Sequence, residues 1–171
     1  MARFVFCFSA GLLTALCLLN VALMAGTARA QEATIAQSLL LGGVWEHNGS
    51  VMYTSVLEIS GEAAEFEINY ATPSPALAKQ GVTNGTVVFR GRLQGGYGNK
   101  VVGQAFTFRN GCPAAAYDVS GVLSEPRRGR EAFIQLLGSA PLRASSGCGI
   151  NGYSDATSNA MLMFAYKGGS E

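Results

Sequence analysis

His47 is the one histidine in the chain, so any hydrolytic centre built on an imidazole must use it. A Ser–His–carboxylate relay needs a serine that the imidazole deprotonates and an acid that orients the ring. The two aspartates, Asp118 and Asp155, both lie far from His47 in sequence, and no Gly-x-Ser-x-Gly elbow is present. His47, beside Trp45 and Asn48, reads instead as the polar start of a first strand, and no catalytic residue is assigned. Zinc takes three or four Cys, His or carboxylate ligands. One histidine and an expected disulfide leave too few, so neither a metal site nor a cofactor is expected. Glu65 and Glu67 share a strand face and have the types of a glycosidase pair. On the wet side of an amphipathic strand, two glutamates read more simply as solubility. Arg127, Arg128 and Arg130 cluster in one turn with Pro126 and Gly129. Three guanidinium groups suit a phosphate or an acidic partner, and a solvated hairpin tip is the plainer account. Arg90, Arg92 and Arg109 would extend that patch only if their strands adjoin it.

What the cysteines can do depends on the first thirty residues. Arg3 precedes an apolar run from Phe4 to Met24, and Ala28-Arg29-Ala30 follows it, small at both positions that signal peptidase inspects. This is the layout of a secretory signal peptide spanning residues 1–30. An uncleaved anchor is the rival for a run of that length, but Thr14 and Asn20 interrupt it. Cleavage discards Cys7 and Cys17 and leaves Cys112 and Cys148 in an oxidising compartment, where two cysteines form a disulfide. A Cys-x-x-Cys redox spacing is absent. The expected destination is the periplasm or the medium of a bacterium, with no membrane span after cleavage.

The chain has 171 residues, and removing residues 1–30 leaves a length suited to one domain. That removal takes Arg3 and Arg29 from the 12 basic residues and nothing from the 11 acids, so the net charge falls near −1. There is no broad positive field, and nucleic acid is excluded as a partner.

The elements that must position these residues are strands. Ala64-Glu65-Phe66-Glu67-Ile68-Asn69-Tyr70 alternates with period two, which turns Phe66, Ile68 and Tyr70 to a core and Glu65, Glu67 and Asn69 to water. Similar patterns at residues 44–47, 50–59, 86–93, 101–109, 117–124, 132–138 and 161–167 bring the total to about eight strands. Short strands joined by Gly-rich turns indicate an all-β protein, an antiparallel meander closing into an up-and-down barrel, with a β-sandwich as the alternative. Gly91, Gly103, Gly121 and Gly138 interrupt these patterns, as a sharply curved sheet requires. Asn48-Gly49-Ser50 and Asn84-Gly85-Thr86 match a glycosylation sequon and are read as turns. Residues 31–43 form a lead-in, helical with Ile35, Leu39 and Leu40 on one face or else extended. Residues 44–167 form the barrel and residues 168–171 a tail. Two connections are long: residues 71–83, with a helical turn at 76–80, and residues 141–159, which the disulfide ties to the end of the strand before Cys112.

Three stretches carry a resemblance: Trp45-Glu46-His47-Asn48-Gly49-Ser50-Val51-Met52, Gly81-Val82-Thr83-Asn84-Gly85-Thr86-Val87-Val88-Phe89-Arg90-Gly91, and Val102-Gly103-Gln104-Ala105-Phe106-Thr107-Phe108. Cys112, Tyr117-Asp118-Val119-Ser120-Gly121, Leu137-Gly138-Ser139-Ala140-Pro141, Cys148 and Leu162-Met163-Phe164-Ala165-Tyr166 complete it. Together they resemble a small exported β domain of unassigned activity from rhizobia and related alphaproteobacteria, found alone or beside caspase-like peptidase domains. The resemblance spans residues 44–167 and implies a scaffold without a catalytic residue. Trp-x-x-Asn-Gly-Ser is similar to the opening of avidin-like barrels, and the lipocalin-like barrels are a further analogy. The chain has one Trp where biotin binders use several.

The expected function is a non-catalytic, exported β-barrel that binds an envelope component or another protein. Cys112 and Cys148 are the expected disulfide, and Trp45, His47, Asn48, Arg127, Arg128 and Arg130 are the expected exposed contacts. A carrier for a small apolar ligand is one alternative. The other is an inhibitor of a lysozyme or secreted protease that presents residues 141–159.

Overall fold

The computed structural model describes residues 35–95 and 98–169, and they fall within one compact unit, Ala33–Glu171. The expected signal segment, residues 1–30, lies outside the described residues. Among the described residues there are ten strands: β1 (Gly43–His47), β2 (Ser50–Ser60), β3 (Ala63–Thr72), β4 (Val87–Gln94), β5 (Lys100–Thr107), β6 (Ala115–Ser124), β7 (Phe133–Leu137), β8 (Ala140–Arg143), β9 (Ile150–Ser154) and β10 (Met161–Gly169). Eight of them close a barrel in the order β1-β10-β7-β6-β5-β4-β3-β2, and β8 and β9 form a separate hairpin. Every pairing is antiparallel. The meander inferred from period-two patterning is the observed fold. Because β10 pairs with both β1 and β7, no sheet edge is left for a sandwich.

The turn chemistry follows the sequence. Asn48 (φ 48°) and Gly49 (φ 73°) join β1 to β2 with His47 opposite Ser50. Two successive positive φ values make the mirror-image turn that matches strand twist, and Asn-Gly is the pair that adopts it most readily. The in-strand glycines work differently, by close approach. Gly91 lies opposite Gly103. A Cβ on Gly91 would sit 2.7 Å from the Gly103 Cα, and one on Gly103 would sit 2.6 Å from the Gly91 Cα. The two strands therefore cross too tightly for any side chain there.

Inside, Trp45, Met52, Phe66, Ile68, Phe89, Val101, Ala105, Ile134, Leu136 and Phe164 each have 0% accessible surface. A side chain lining a chamber wide enough for water would retain some surface, so these residues fill the barrel, as eight strands permit. That observation opposes the apolar-carrier alternative, which needs a hollow interior.

The two barrel ends differ. At one end lie the β2–β3, β4–β5 and β6–β7 turns, and residues 35–40 form a helical segment that covers it. Gln37 Nε2 donates to the Gly61 carbonyl at 2.8 Å. The buried face of this segment is Ala36, Leu39 and Leu40, the i, i+3, i+4 set of a helix. Ile35, expected on that face, is 40% exposed. At the opposite end lie the β1–β2 turn, the β3–β4 connection with its short helix Pro75–Ala78, the β5–β6 loop, and the β8–β9 hairpin.

Asn69, expected to face water, is buried. Ile68 pairs with Phe89 and Asn69 with Val87, so the extra residue of the bulge between these strands is Val88 on β4. Asn69 keeps its place on the outer face, opposite Tyr53, where its amide donates to Ser55 Oγ at 3.3 Å.

Candidate binding site at the disulfide end

Cys112 and Cys148 are bonded, with an S–S distance of 2.05 Å. Cys112 follows β5 and Cys148 sits in the β8–β9 connection, so the bond ties the β5–β6 loop to the hairpin tip. Two arginines work in parallel with it. Arg109, just past β5, donates from Nη1 to the Ala144 carbonyl and from Nη2 to the Ser145 carbonyl at 3.0 Å. Arg143, at the end of β8, reaches back from Nη2 to the carbonyls of Thr107 (3.0 Å) and Pro113 (2.8 Å), and from Nη1 to Cys148 (3.4 Å). Each loop thus supplies a guanidinium fork to the carbonyls of the other, a geometry that arginine suits better than lysine. Arg109, considered above as part of a basic patch, serves this clamp. Arg90 and Arg92 stand opposite Glu67 and Glu65 on the outer wall, and Arg90 pairs with Glu67 at 2.5 Å. The glutamates face outward beside arginines.

Of the expected exposed contacts, Trp45 and His47 are buried, at 0% and 8% exposure. The cause is the pleat: Gly43, Trp45 and His47 alternate inward while Glu46 faces out. The indole fits because Gly43 has no Cβ, which would stand 2.6 Å from Trp45 Nε1. Trp45 Nε1 donates to Thr54 Oγ1 at 3.4 Å, and its ring meets Tyr166 edge-on at 5.1 Å. His47 packs on Phe164 at 5.0 Å. Its Nδ1 lies 2.9 Å from the Met163 carbonyl, which only accepts, so Nδ1 carries the proton. Nε2 then accepts from the Asn48 amide at 3.1 Å. Burial lowers the His47 pKa from its ordinary value, opposed in part by the Met163 bond. Both imidazole nitrogens are thus engaged, and neither aspartate is bonded to the ring.

Asn48, Arg127, Arg128 and Arg130 are exposed. Arg127 and Arg130 exchange backbone hydrogen bonds of 3.1 and 2.8 Å across a tight turn, with Gly129 at φ 74°. That turn joins β6 to β7 at the helix-covered end, whereas Asn48 belongs to the disulfide end. The structure therefore separates the expected contacts into two regions a barrel length apart.

Sequence reasoning missed a cleft of about 420 Å³ on the outer wall beside the disulfide end, lined by Gln104, Ala116, Tyr117, Asp118, Ser139 and Tyr153. Gln104 on β5 and Ala116 and Asp118 on β6 point outward and form one wall. Ser139 and Tyr153, from the β8–β9 region, form the other. Gln104 Nε2 donates to Asp118 Oδ1 at 3.2 Å, and Ser139 Oγ donates to Asp155 Oδ1. Tyr117 turns its ring inward and donates from its hydroxyl to the Asn159 carbonyl at 2.5 Å. Burial raises its pKa to about 12, so it stays a donor at neutral pH. The residues expected as one presented loop, 141–159, are largely this hairpin and the 3-10 turn Ser158–Ala160.

Among the described residues, no group of three or more His, Cys, Asp or Glu could hold a metal ion, and no helix is long and apolar enough to cross a membrane. No family model, no curated protein and no solved structure matches the chain.

Proposed function

We propose that this chain is an exported, non-catalytic binding module of the cell envelope that engages its partner through the disulfide end of the barrel. One observation carries the reading: a disulfide and two reciprocal arginine clamps converge on the loops that flank the outer-wall cleft. Fixing loops before a partner arrives lowers the ordering cost of binding. The disulfide suits an oxidising compartment. A filled interior leaves the outer surface as the place for recognition, and His47, kept neutral by burial with both ring nitrogens engaged, supports a role without chemistry.

The test is capture from envelope extracts on the immobilised protein, with two sets of variants. Asn48→Ala and Tyr153→Ala alter the disulfide end. Arg127→Ala, Arg128→Ala and Arg130→Ala together alter the opposite end. Loss of the captured partner in the first set and retention in the second is the expected result. The reverse pattern refutes the assignment.

A further inference from the structure

The outer-wall cleft has a chemistry of its own. Its lining contains no lysine or arginine and holds the Asp118 carboxylate, with Asp155 bonded to lining Ser139. Anionic ligands are therefore disfavoured. Apart from Ala116 its outward groups are polar, which disfavours a lipid chain. Its volume of about 420 Å³ is that of a small-molecule site.

The hydrogen-bonding groups are mixed in type. Gln104 spends one amide hydrogen on Asp118, which leaves its second N–H as a donor and its Oε1 as an acceptor. Asp118 retains the lone pairs of Oδ2, and Ser139 Oγ, whose proton points to Asp155, still accepts. A site with both a donor and several acceptors matches a ligand whose groups both donate and accept, which is to say hydroxyls. An ammonium would also be drawn to Asp118 and to a tyrosine ring, but it has no acceptor for the free Gln104 N–H.

Tyr153 supplies the remaining element. It is 60% exposed on a strand whose hairpin is fixed by the disulfide and by Arg143. A tyrosine loses little rotamer freedom on binding, and the negative face of its ring complements the weakly positive C–H face of a pyranose. We propose that the cleft between Gln104, Asp118, Ser139 and Tyr153 binds a neutral saccharide, with a sugar ring stacked on Tyr153 and its hydroxyls bonded to the Gln104–Asp118 pair. This rests on the reading of the protein as an envelope-binding module and names the ligand class for the same end of the barrel.

The experiment is a titration of the isotope-labelled protein, followed by amide chemical shifts, with cellotetraose, maltotetraose, chitotetraose and mannotetraose, and with cadaverine and inorganic phosphate as contrasts. The expected result is saturable shifts from at least one tetrasaccharide, centred on Gln104, Ala116, Asp118, Ser139 and Tyr153. Tyr153→Ala and Gln104→Ala each weaken that saccharide by roughly tenfold or more, as loss of ~1.4 kcal/mol predicts, with unchanged melting temperatures. Absence of binding across the four saccharides, shifts centred elsewhere, or cadaverine or phosphate binding in their place overturns the proposal. Should envelope capture depend on the disulfide end while no saccharide binds, the ligand class fails and the broader reading stands. Should capture depend on the arginine turn instead, the broader reading fails and the titration still decides what the cleft binds.

Discussion

Replacing Cys112 and Cys148 together by serine tests the stapled end most directly. The bond joins residues 36 apart in sequence. Loop closure of that length removes about 4 kcal/mol of unfolded-chain entropy, which for a domain of this size corresponds to a fall in melting temperature of roughly 10–20 °C. The full loss is expected only if the folded chain keeps its loops fixed without the bond. The arginines predict that it does, because Arg109 and Arg143 still hold the carbonyls of residues 144, 145, 107, 113 and 148. If the hairpin instead undocked, the native state would recover entropy and the loss would shrink. Trp45, buried and the one tryptophan of the chain, reports unfolding by its emission. The assay is a thermal melt of the parent and the double variant, each with and without Arg143→Met. Arg143→Met should do little while the bond is present and markedly more in its absence. A double variant that melts with the parent refutes the closure argument, and equal effects of Arg143→Met in both backgrounds refute the parallel clamp.

Two further outcomes follow from the interior and the sheet. Burial lowers the His47 pKa, so below about 6.5 the unfolded chain takes up a proton that the folded chain does not; stability therefore falls as the pH drops from 7 towards the lowered value, by at most tenfold in the folding constant per pH unit. Urea midpoints between pH 5 and 7 should show this slope in the parent and lose it in His47→Gln, and a parent stabilised by acidification contradicts the assignment. Gly121→Ala places a Cβ against the Gln135 carbonyl and 2.9 Å from Leu136 Cα on β7, which should destabilise by about 1–3 kcal/mol. Gly149→Ala meets only Ala144 Cβ at 3.7 Å and should leave the urea midpoint unchanged; similar losses in both would contradict the close-approach account.

Local periodicity carried the barrel. Phe66 and Ile68 are buried and Glu65 is exposed, as alternation demands, and Asn48-Gly49 makes the turn that its residue types prefer. The same alternation, applied to β1, places Trp45 and His47 together on the inner face; their reading as surface groups gave polarity more weight than spacing. The burial of Asn69 was illegible because it depends on what neighbouring strands and loops place over the outer face of β3, which that strand does not encode alone. The β8–β9 hairpin was illegible for a related reason. Ala140-Pro141-Leu142-Arg143 and Ile150-Asn151-Gly152-Tyr153-Ser154 contain proline and glycine and alternate weakly, and their strand form is supported by the disulfide and by Arg143. The cleft draws residues from β5, β6 and the hairpin, positions 104 to 153, and no local pattern brings Gln104 beside Asp118.

The glycines that shape the fold also bear on where binding can occur. Gly91 against Gly103, and Gly121 against Gln135, bring neighbouring strands closer than any side chain would allow. A sheet curved that tightly encloses a narrow space, and Trp45, Phe66, Phe89 and Phe164 fill it without leaving surface. The helical segment at residues 35–40 covers one end with Ala36, Leu39 and Leu40. The longest connection at that end is residues 125–132 between β6 and β7, which leaves little backbone to shape into a site. The opposite end carries the longer connections, and long loops are ordered only when something fixes them. Here the fixing is redundant, with a covalent bond and two charged forks acting on the same pair of loops. The one arginine cluster free of side-chain partners among the described residues, Arg127, Arg128 and Arg130, has no such support. Pre-ordering, rather than charge, therefore decides between the two ends as the locus of the proposed recognition.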